Sequence, residues 1–409
     1  MIRTLAWMLC GVALTAGAPD AWGQQARYDD VVRNLRNPDA KVRLSALRLL
    51  REAGHLEAIE PIAPLVNDPV DEIQLEAIAA ELSFYLVEPV PTKRRVALVF
   101  EVRSPAQAAA AFERGPLAAW PRPVPPALVS NLLQAVDDEN ARVRMEAIYA
   151  LGVIVRPPLA GEHEEALIKA LDHYDPVVRA GAARVAGRLQ VSAAGDALIR
   201  AVNDSNAGVR YAALRALGEV GEARAVQALG EQLTYYGRGE GAWSALQALA
   251  RIAHASSVPV FKERVTDREP LLRRAAMEGL GRSGDRSEQT TLQEAAGSDP
   301  SEMVRAAAAF ALQLQGGNYI PRLVESLRSD RMVQQIGDYL MELGPAVENS
   351  LLTHLQDQDP AIRGQVARVL GALGGDASRP ALESLLEDRN RRVVQEATWA
   401  IERLDMRTR

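Results

Sequence analysis

A short pattern returns through this chain at a near-constant interval: an apolar residue, Arg, two variable positions, Ala, an apolar residue, a variable one, a small one and Leu, often followed by Gly. Val42-Arg43 to Leu50, Val143-Arg144 to Gly152, Val178-Arg179 to Gly187 and Val209-Arg210 to Gly218 carry it most clearly. Leu272-Arg273 to Gly281, Val304-Arg305 to Leu312 and Ile362-Arg363 to Gly371 repeat it, and weaker copies place Gln74, Ala242, Gln334 and Val394 where the Arg stands. From Arg144 onward the Arg position is therefore occupied in turn by Arg144, Arg179, Arg210, Ala242, Arg273, Arg305, Gln334, Arg363 and Val394. This series sets a period of roughly 31 residues, within the range of stacked helical repeats. Three residues after the Arg position stands Ala in nine of eleven copies. A unit of this length cannot bury an apolar face by itself, so neighbouring units must stack, and a single closed core is excluded.

Six residues before the Arg position stands Asp in seven copies, at Asp68, Asp138, Asp204, Asp267, Asp299, Asp357 and Asp388. Pro176 and Pro360 follow such turns at places suited to a first helical turn. An amphipathic run precedes each turn, as in Glu165 to Leu171 and Pro380 to Leu386. Each unit therefore reads as helix A, an Asp turn, helix B and a Gly exit. A composition of 48% hydrophobic but only 5% aromatic residues suits helices packed on small side chains better than a β-sandwich core.

Two helices per unit, Asp at the turn and Arg early in the second helix resemble HEAT repeats. The Val-Arg-x-x-Ala-x-x-x-Leu-Gly signature is similar to the phycobilisome-lyase-type subset, over nearly all of residues 27–404. The resemblance implies an all-α fold, a right-handed α-α superhelix of about 11–12 helical hairpins, with the second helices lining the concave side. The expected division is a signal peptide at 1–23, repeats at 24–82, an irregular region at 83–126, and repeats from 127 to 409.

The irregular region separates Gln74 from Arg144 by more than two periods. Ser104-Pro105-Ala106-Gln107 makes a helix start and Gly115 a stop. Val102-Arg103-Ser104-Pro105-Ala106 echoes the signature, which favours a divergent twelfth unit. The alternative is an insertion in which Val96 to Val102 is extended and Pro116 to Pro126 crosses the surface, as a lid or a partner-binding loop.

On a helical wheel the Arg lies beside the apolar stripe formed by positions −1, +3, +4 and +7. The expectation is a ladder of guanidinium groups bonding turn carboxylates and helix-end carbonyls between units, rather than a row of anion sites. Positions +1 and +5 point away from the stripe. Six of the chain's few aromatics sit there, and with neighbouring arginines they define the candidate partner-binding residues: Tyr149, Arg184, Tyr211, Arg215, Trp243, Phe310, Tyr339, Arg368 and Trp399.

Nothing in the sequence points to catalysis. His55, His163, His173, His254 and His354 share no spacing, so no metal is expected. His163-Glu164 is a single His-Glu pair, whereas the HEAT-fold iron hydroxylases use several. No nucleophile elbow, P-loop or dinucleotide fingerprint occurs, so no catalytic residue or cofactor is expected and the chain reads as a non-enzyme. A net charge of −6 is not the footprint of a nucleic-acid binder. Arg3, the apolar stretch Leu5 to Ala18 and the small-residue site Ala21-Trp22-Gly23 read as a secretory signal cleaved after Gly23, too short for a permanent anchor. Cys10, the one cysteine, lies inside it, so the exported chain carries no thiol and a bacterial periplasm or exterior suits it. The expected role is an exported scaffold holding a protein or peptide on its concave face. An accessory or regulatory subunit of an envelope enzyme complex is the alternative. The lyase resemblance raises tetrapyrrole handling, which belongs inside cells and fits an export signal poorly.

Overall fold

The computed structural model describes residues 27–90, 93–97, 100–103, 106–159 and 161–408. The signal segment and Cys10 lie outside them, as do Ser104 and Pro105. Helices come in pairs: α1 (27–34) with α2 (Ala40–Ala53), then the turn-rich segment holding α3 (Ile59–Ile62) with α4 (Asp71–Tyr85). After an interruption follow α6 (Pro126–Ala135) with α7 (Ala141–Ile154), α8 (Gly161–Ala170) with α9 (Pro176–Arg188), α10 (Gly195–Ala201) with α11 (Ala207–Val220), and α12 (Val226–Tyr236) with α13 (Gly239–Ile252). The last pairs are α14 (Val258–Arg264) and α15 (Pro270–Ser283), α16 (Gln289–Ser298) and α17 (Glu302–Leu314), α18 (Ile320–Glu325) and α19 (Val333–Leu343), α20 (Glu348–Leu352) and α21 (Pro360–Leu373), and α22 (Ser378–Ser384) and α23 (Arg391–Thr408). The fold is an all-α helical-repeat superhelix, and no helix among the described residues is long and apolar enough to cross a membrane. Contacts divide the chain into two compact units, Met1–Ala110 with Val124–Ala150, and Ala111–Pro123 with Leu151–Arg409.

The repeated Arg and Asp tie successive units together in one recurring geometry. Arg179 directs Nε and Nη2 onto both oxygens of Asp204, one unit ahead, at 2.8 and 3.0 Å, while its Nη1 donates to the carbonyls of His173 and Tyr174 in its own turn. Arg43 with Asp68, Arg273 with Asp299 and Arg363 with Asp388 do the same. Each of these carboxylates also accepts the backbone N–H two residues on, which closes the turn that starts the next helix. Where the pattern lapses, the bonding follows the substitute. Tyr236 occupies the Asp position after Arg210 and accepts its Nε at 2.8 Å through the hydroxyl. Gln74 replaces the Arg and its amide reaches Asp138 at 2.7 Å.

The repeated glycine is not the exit that the sequence pattern suggests. Gly187, Gly218, Gly281 and Gly371 lie inside their helices, against the next second helix. A Cβ on Gly281 would lie 2.5 Å from the Cα of Ala311, and one on Gly218 2.7 Å from the Cα of Ala248. Contact this close admits only hydrogen at the position, so the glycine sets helix spacing. Exits are made elsewhere, by Gly54, Gly221 and Gly284 with φ of 68°, 75° and 71°.

Between Tyr85 and Pro126 the pairing is interrupted. An antiparallel hairpin, β1 (Lys93–Ala97) and β2 (Phe100–Arg103), leads to the short helix α5 (Gln107–Glu113). Val102 and Arg103 are therefore strand residues although their sequence echoes the helical signature. Glu146 of α7 holds the start of α5, accepting the N–H groups of Gln107 and Ala108 at 2.9 and 2.8 Å. Gly115, at φ 80°, then turns the chain into a single 3-10 turn, Pro116–Ala118.

Candidate binding face

In the Leu151–Arg409 repeats glycine closes the contacts α9–α11, α11–α13, α15–α17 and α21–α23, whereas between α17 and α19 aromatic side chains fill the contact. Phe310 and Tyr339, both at +5, stack with ring centroids 4.2 Å apart and are fully buried. Their expected outward exposure is thus corrected: in a strongly curved stack an outward position meets the same position of the next unit. Beneath the stack, Tyr339 Oη donates to Glu278, which also pairs with Arg274 at 2.8 Å and Arg282 at 3.2 Å. Arg282 continues to Glu342 of α19 at 2.6 Å. Burial alone would raise the Glu278 carboxyl, but the two guanidiniums outweigh it and lower its pKa to about 2. This buried network was not legible as a site, because Glu278 and Arg274 occupy positions where most copies hold unrelated residues.

Tyr149, in the other unit, is also buried, one turn beyond the Glu146 that holds α5. It too fails the expected exposure. Tyr211, Arg215 and Trp243 are brought together half-exposed. Arg215 lies 5.8 Å from the Trp243 ring centroid, pairs with Glu240 at 3.0 Å and bonds the Tyr211 carbonyl. Tyr211 meets Tyr236 edge to face at 5.7 Å. The indole Nε1 of Trp243 is buried without an acceptor. Arg368 and Trp399 are half-buried on α21 and α23, and Arg368 adds its charge to the surroundings of Arg403.

Arg184 leads to the feature that residue-by-residue reading missed. It pairs with Glu113 at 2.6 Å, and Glu113 belongs to the period-breaking insertion. Residues 111–123 run as a strap along the second helices. Arg188 of α9 stands over the Phe112 ring, 3.4 Å from its centroid. Arg403 of α23 donates to the carbonyls of Ala119 at 3.0 Å and Leu117 at 2.9 Å, and lies 5.7 Å from the Trp120 ring. Arg156 donates to Ala119 and Pro116. A Cβ on Gly115 would sit 3.4 Å from the Gln334 amide of α19. Phe112, Ala118, Ala119 and Trp120 are buried. Burial lowers the pKa of both Arg188 and Arg403 to about 10. The signal available in the sequence was the aromatic pair Phe112 and Trp120 flanking a Gly-Pro turn, outside the repeat register. Among the described residues no group of three or more His, Cys, Asp or Glu could hold a metal ion.

Comparison with known proteins places these repeats. The model described as HEAT repeats matches residues 164–235, 238–313 and 320–404, more than half of the chain, and a single HEAT repeat matches 128–156. No sequence among the curated proteins matches. Similar solved structures include an engineered protein, 19% identical with a TM-score of 0.41 over 92% of this chain and 98% of that one. Another is the CpcE–CpcF complex of phycocyanin lyase from Nostoc sp. PCC7120, 22% identical with a TM-score of 0.36 over 61% of this chain and 96% of that one. A third is Kap121p bound to Nup53p, 13% identical with a TM-score of 0.40 over 94% of this chain and 45% of that one.

Proposed function

Because the chain belongs to the HEAT-repeat family, we propose that it is an exported, non-enzymatic scaffold that holds a protein or peptide on the second-helix face of its Leu151–Arg409 repeats. One observation carries the reading: that face already holds a peptide segment, its own strap, through arginines bonded to backbone carbonyls. Bonds to main-chain oxygen, with arginine over aromatic rings, suit a polypeptide segment of varied sequence. The half-exposed group of Tyr211, Arg215 and Trp243, on α11 and α13 of the same repeats, supplies the residue types that anchor interfaces.

The test is site-specific photocrosslinking in the native envelope, with the reactive side chain placed at Trp243 or, as a control, at Tyr174, which is 75% exposed at a turn. A discrete adduct from position 243 and none from 174 is expected. A folded protein that gives no adduct at 243, or the same adducts at both positions, refutes the reading. A chromophore or metal retained through purification would instead favour chemistry in the groove.

A further inference from the structure

We propose that the strap is a built-in competitor, and that the partner docks an acidic, aromatic-bearing segment in its place. The inference rests on the reading just given and names the chemistry of the ligand. The strap is well placed but poorly matched in charge. It meets Arg156, Arg184, Arg188 and Arg403, with Arg368 and Arg407 near Arg403. To these it brings one carboxylate, Glu113, and two more guanidiniums, Arg114 and Arg122. The Nε of Arg122 is buried with no acceptor. Glu219 beside Arg188 and Glu396 beside Arg403 offset part of the positive charge. At the α23 end, however, Arg403 and Arg156 bond only neutral carbonyls of the strap. A carboxylate there would form charge-assisted bonds about twice as strong as those to a neutral acceptor. Phe112 and Trp120 show what the face accepts beyond charge: rings set against Arg188 and Arg403. A segment that keeps those rings and carries an acid in place of Arg122, whose Nε finds no acceptor, relieves the excess charge. Ligand entry then requires the strap to leave, so occupancy of the face is gated by the chain itself.

The experiment uses the full exported chain and two labelled peptides. One has the sequence of residues 111–123; the other carries Arg122→Glu. The acidic peptide is expected to bind at least about tenfold tighter at low salt, the gap narrowing as salt rises. A chain with Phe112→Ser and Trp120→Ser, which loosens the strap, is expected to bind the acidic peptide more tightly again. Equal binding of the two peptides, or equal affinity in both chains, overturns the proposal. Should the loosened chain fail to fold, hydrogen exchange on the unaltered chain decides. Saturating acidic peptide should speed exchange of amides 112–120 while α23 keeps its protection, and no change there overturns the proposal. A partner crosslinked at position 243 with the strap undisturbed would sink gating alone, whereas loss of that crosslink sinks the scaffold reading.

Discussion

Arg179→Ala removes four hydrogen bonds, two to Asp204 and two to the carbonyls of His173 and Tyr174. It leaves Asp204 13% exposed without its counter-charge, although the Asn206 N–H still donates to it at 2.7 Å. Breaking a fully buried pair costs about 3–5 kcal/mol, and an exposed one under about 1. The intermediate burial and the surviving backbone bond place this loss at about 2–3 kcal/mol. Arg305 supplies the internal comparison. It bonds only the carbonyls of Asp299 and Pro300, and Arg328 occupies the position where its carboxylate partner would stand. Arg305→Ala should therefore cost about 1 kcal/mol. A repeat array need not unfold in one step, so the assay is amide hydrogen exchange in the flanking second helices. About 2 kcal/mol corresponds to roughly 30-fold faster exchange in α9 and α11, against about fivefold in α17 for Arg305→Ala. The Arg179 bonds hold the Asp204 carboxyl below the usual carboxylate range. The pair's stabilisation is therefore present above the unfolded pKa of about 3.9 and is lost as pH falls through the lower folded value. The difference between native and Arg179→Ala proteins should shrink below about pH 4. Equal costs for the two substitutions, or an Arg179 effect that survives protonation of Asp204, would refute the ladder.

Gly281→Ala should destabilise by about 1–3 kcal/mol, since its Cβ meets Ala311 backbone, whereas Gly230→Ala in α12, with open space around the position, should stabilise by up to about 1 kcal/mol; denaturant midpoints compare them. Glu81 is buried with neither carboxylate oxygen bonded, where most units carry Leu, so Glu81→Leu should raise the melting temperature. Burial raises the Glu81 pKa, so the folded state binds the proton more tightly; native stability from this group falls as pH rises above about 4.3, and Glu81→Leu should abolish that slope. Glu278→Gln leaves Arg274 and Arg282 buried without their shared counter-charge and should cost about 3 kcal/mol or more by thermal denaturation, with Arg282→Lys milder because Lys keeps a charge near Glu342.

The ladder was legible because it recurs. A residue type seen seven times at one offset from another reports a shared geometry, and even its lapses, Tyr236 and Gln74, fall where the offset predicts them. The glycine was legible as a residue but misread as an exit, because its role depends on the next unit's Ala, a partner a full period further along that a helix wheel cannot contain. Phe310 and Tyr339 were misplaced for the same reason: the wheel gives direction from one hairpin's own core and is blind to curvature. Glu113 and Arg184 lie far apart in sequence, and no periodicity relates a repeat to an insertion.

Curvature and insertion are linked by that argument. Small residues at the glycine contact shorten the second-helix side, which converges the arginines of α9 and α23 and of residue 156 on the one strip that holds the strap. A straighter array would spread those guanidiniums beyond the reach of a segment as short as Ala111–Pro123. It follows that enlarging the glycine contact should act at a distance. Gly371→Val would wedge α21 from α23, where a Cβ already meets Ala400 Cα at 2.5 Å, and shift the α23 end that carries Arg403. The strap should then lose its bonds from Arg403 while keeping those from Arg184 and Arg188, and exchange at amides 117–120 should rise more than at 111–113. Uniform loosening along the strap would mean that the segment is held by its own packing, and that the repeats' curvature has no part in presenting the face.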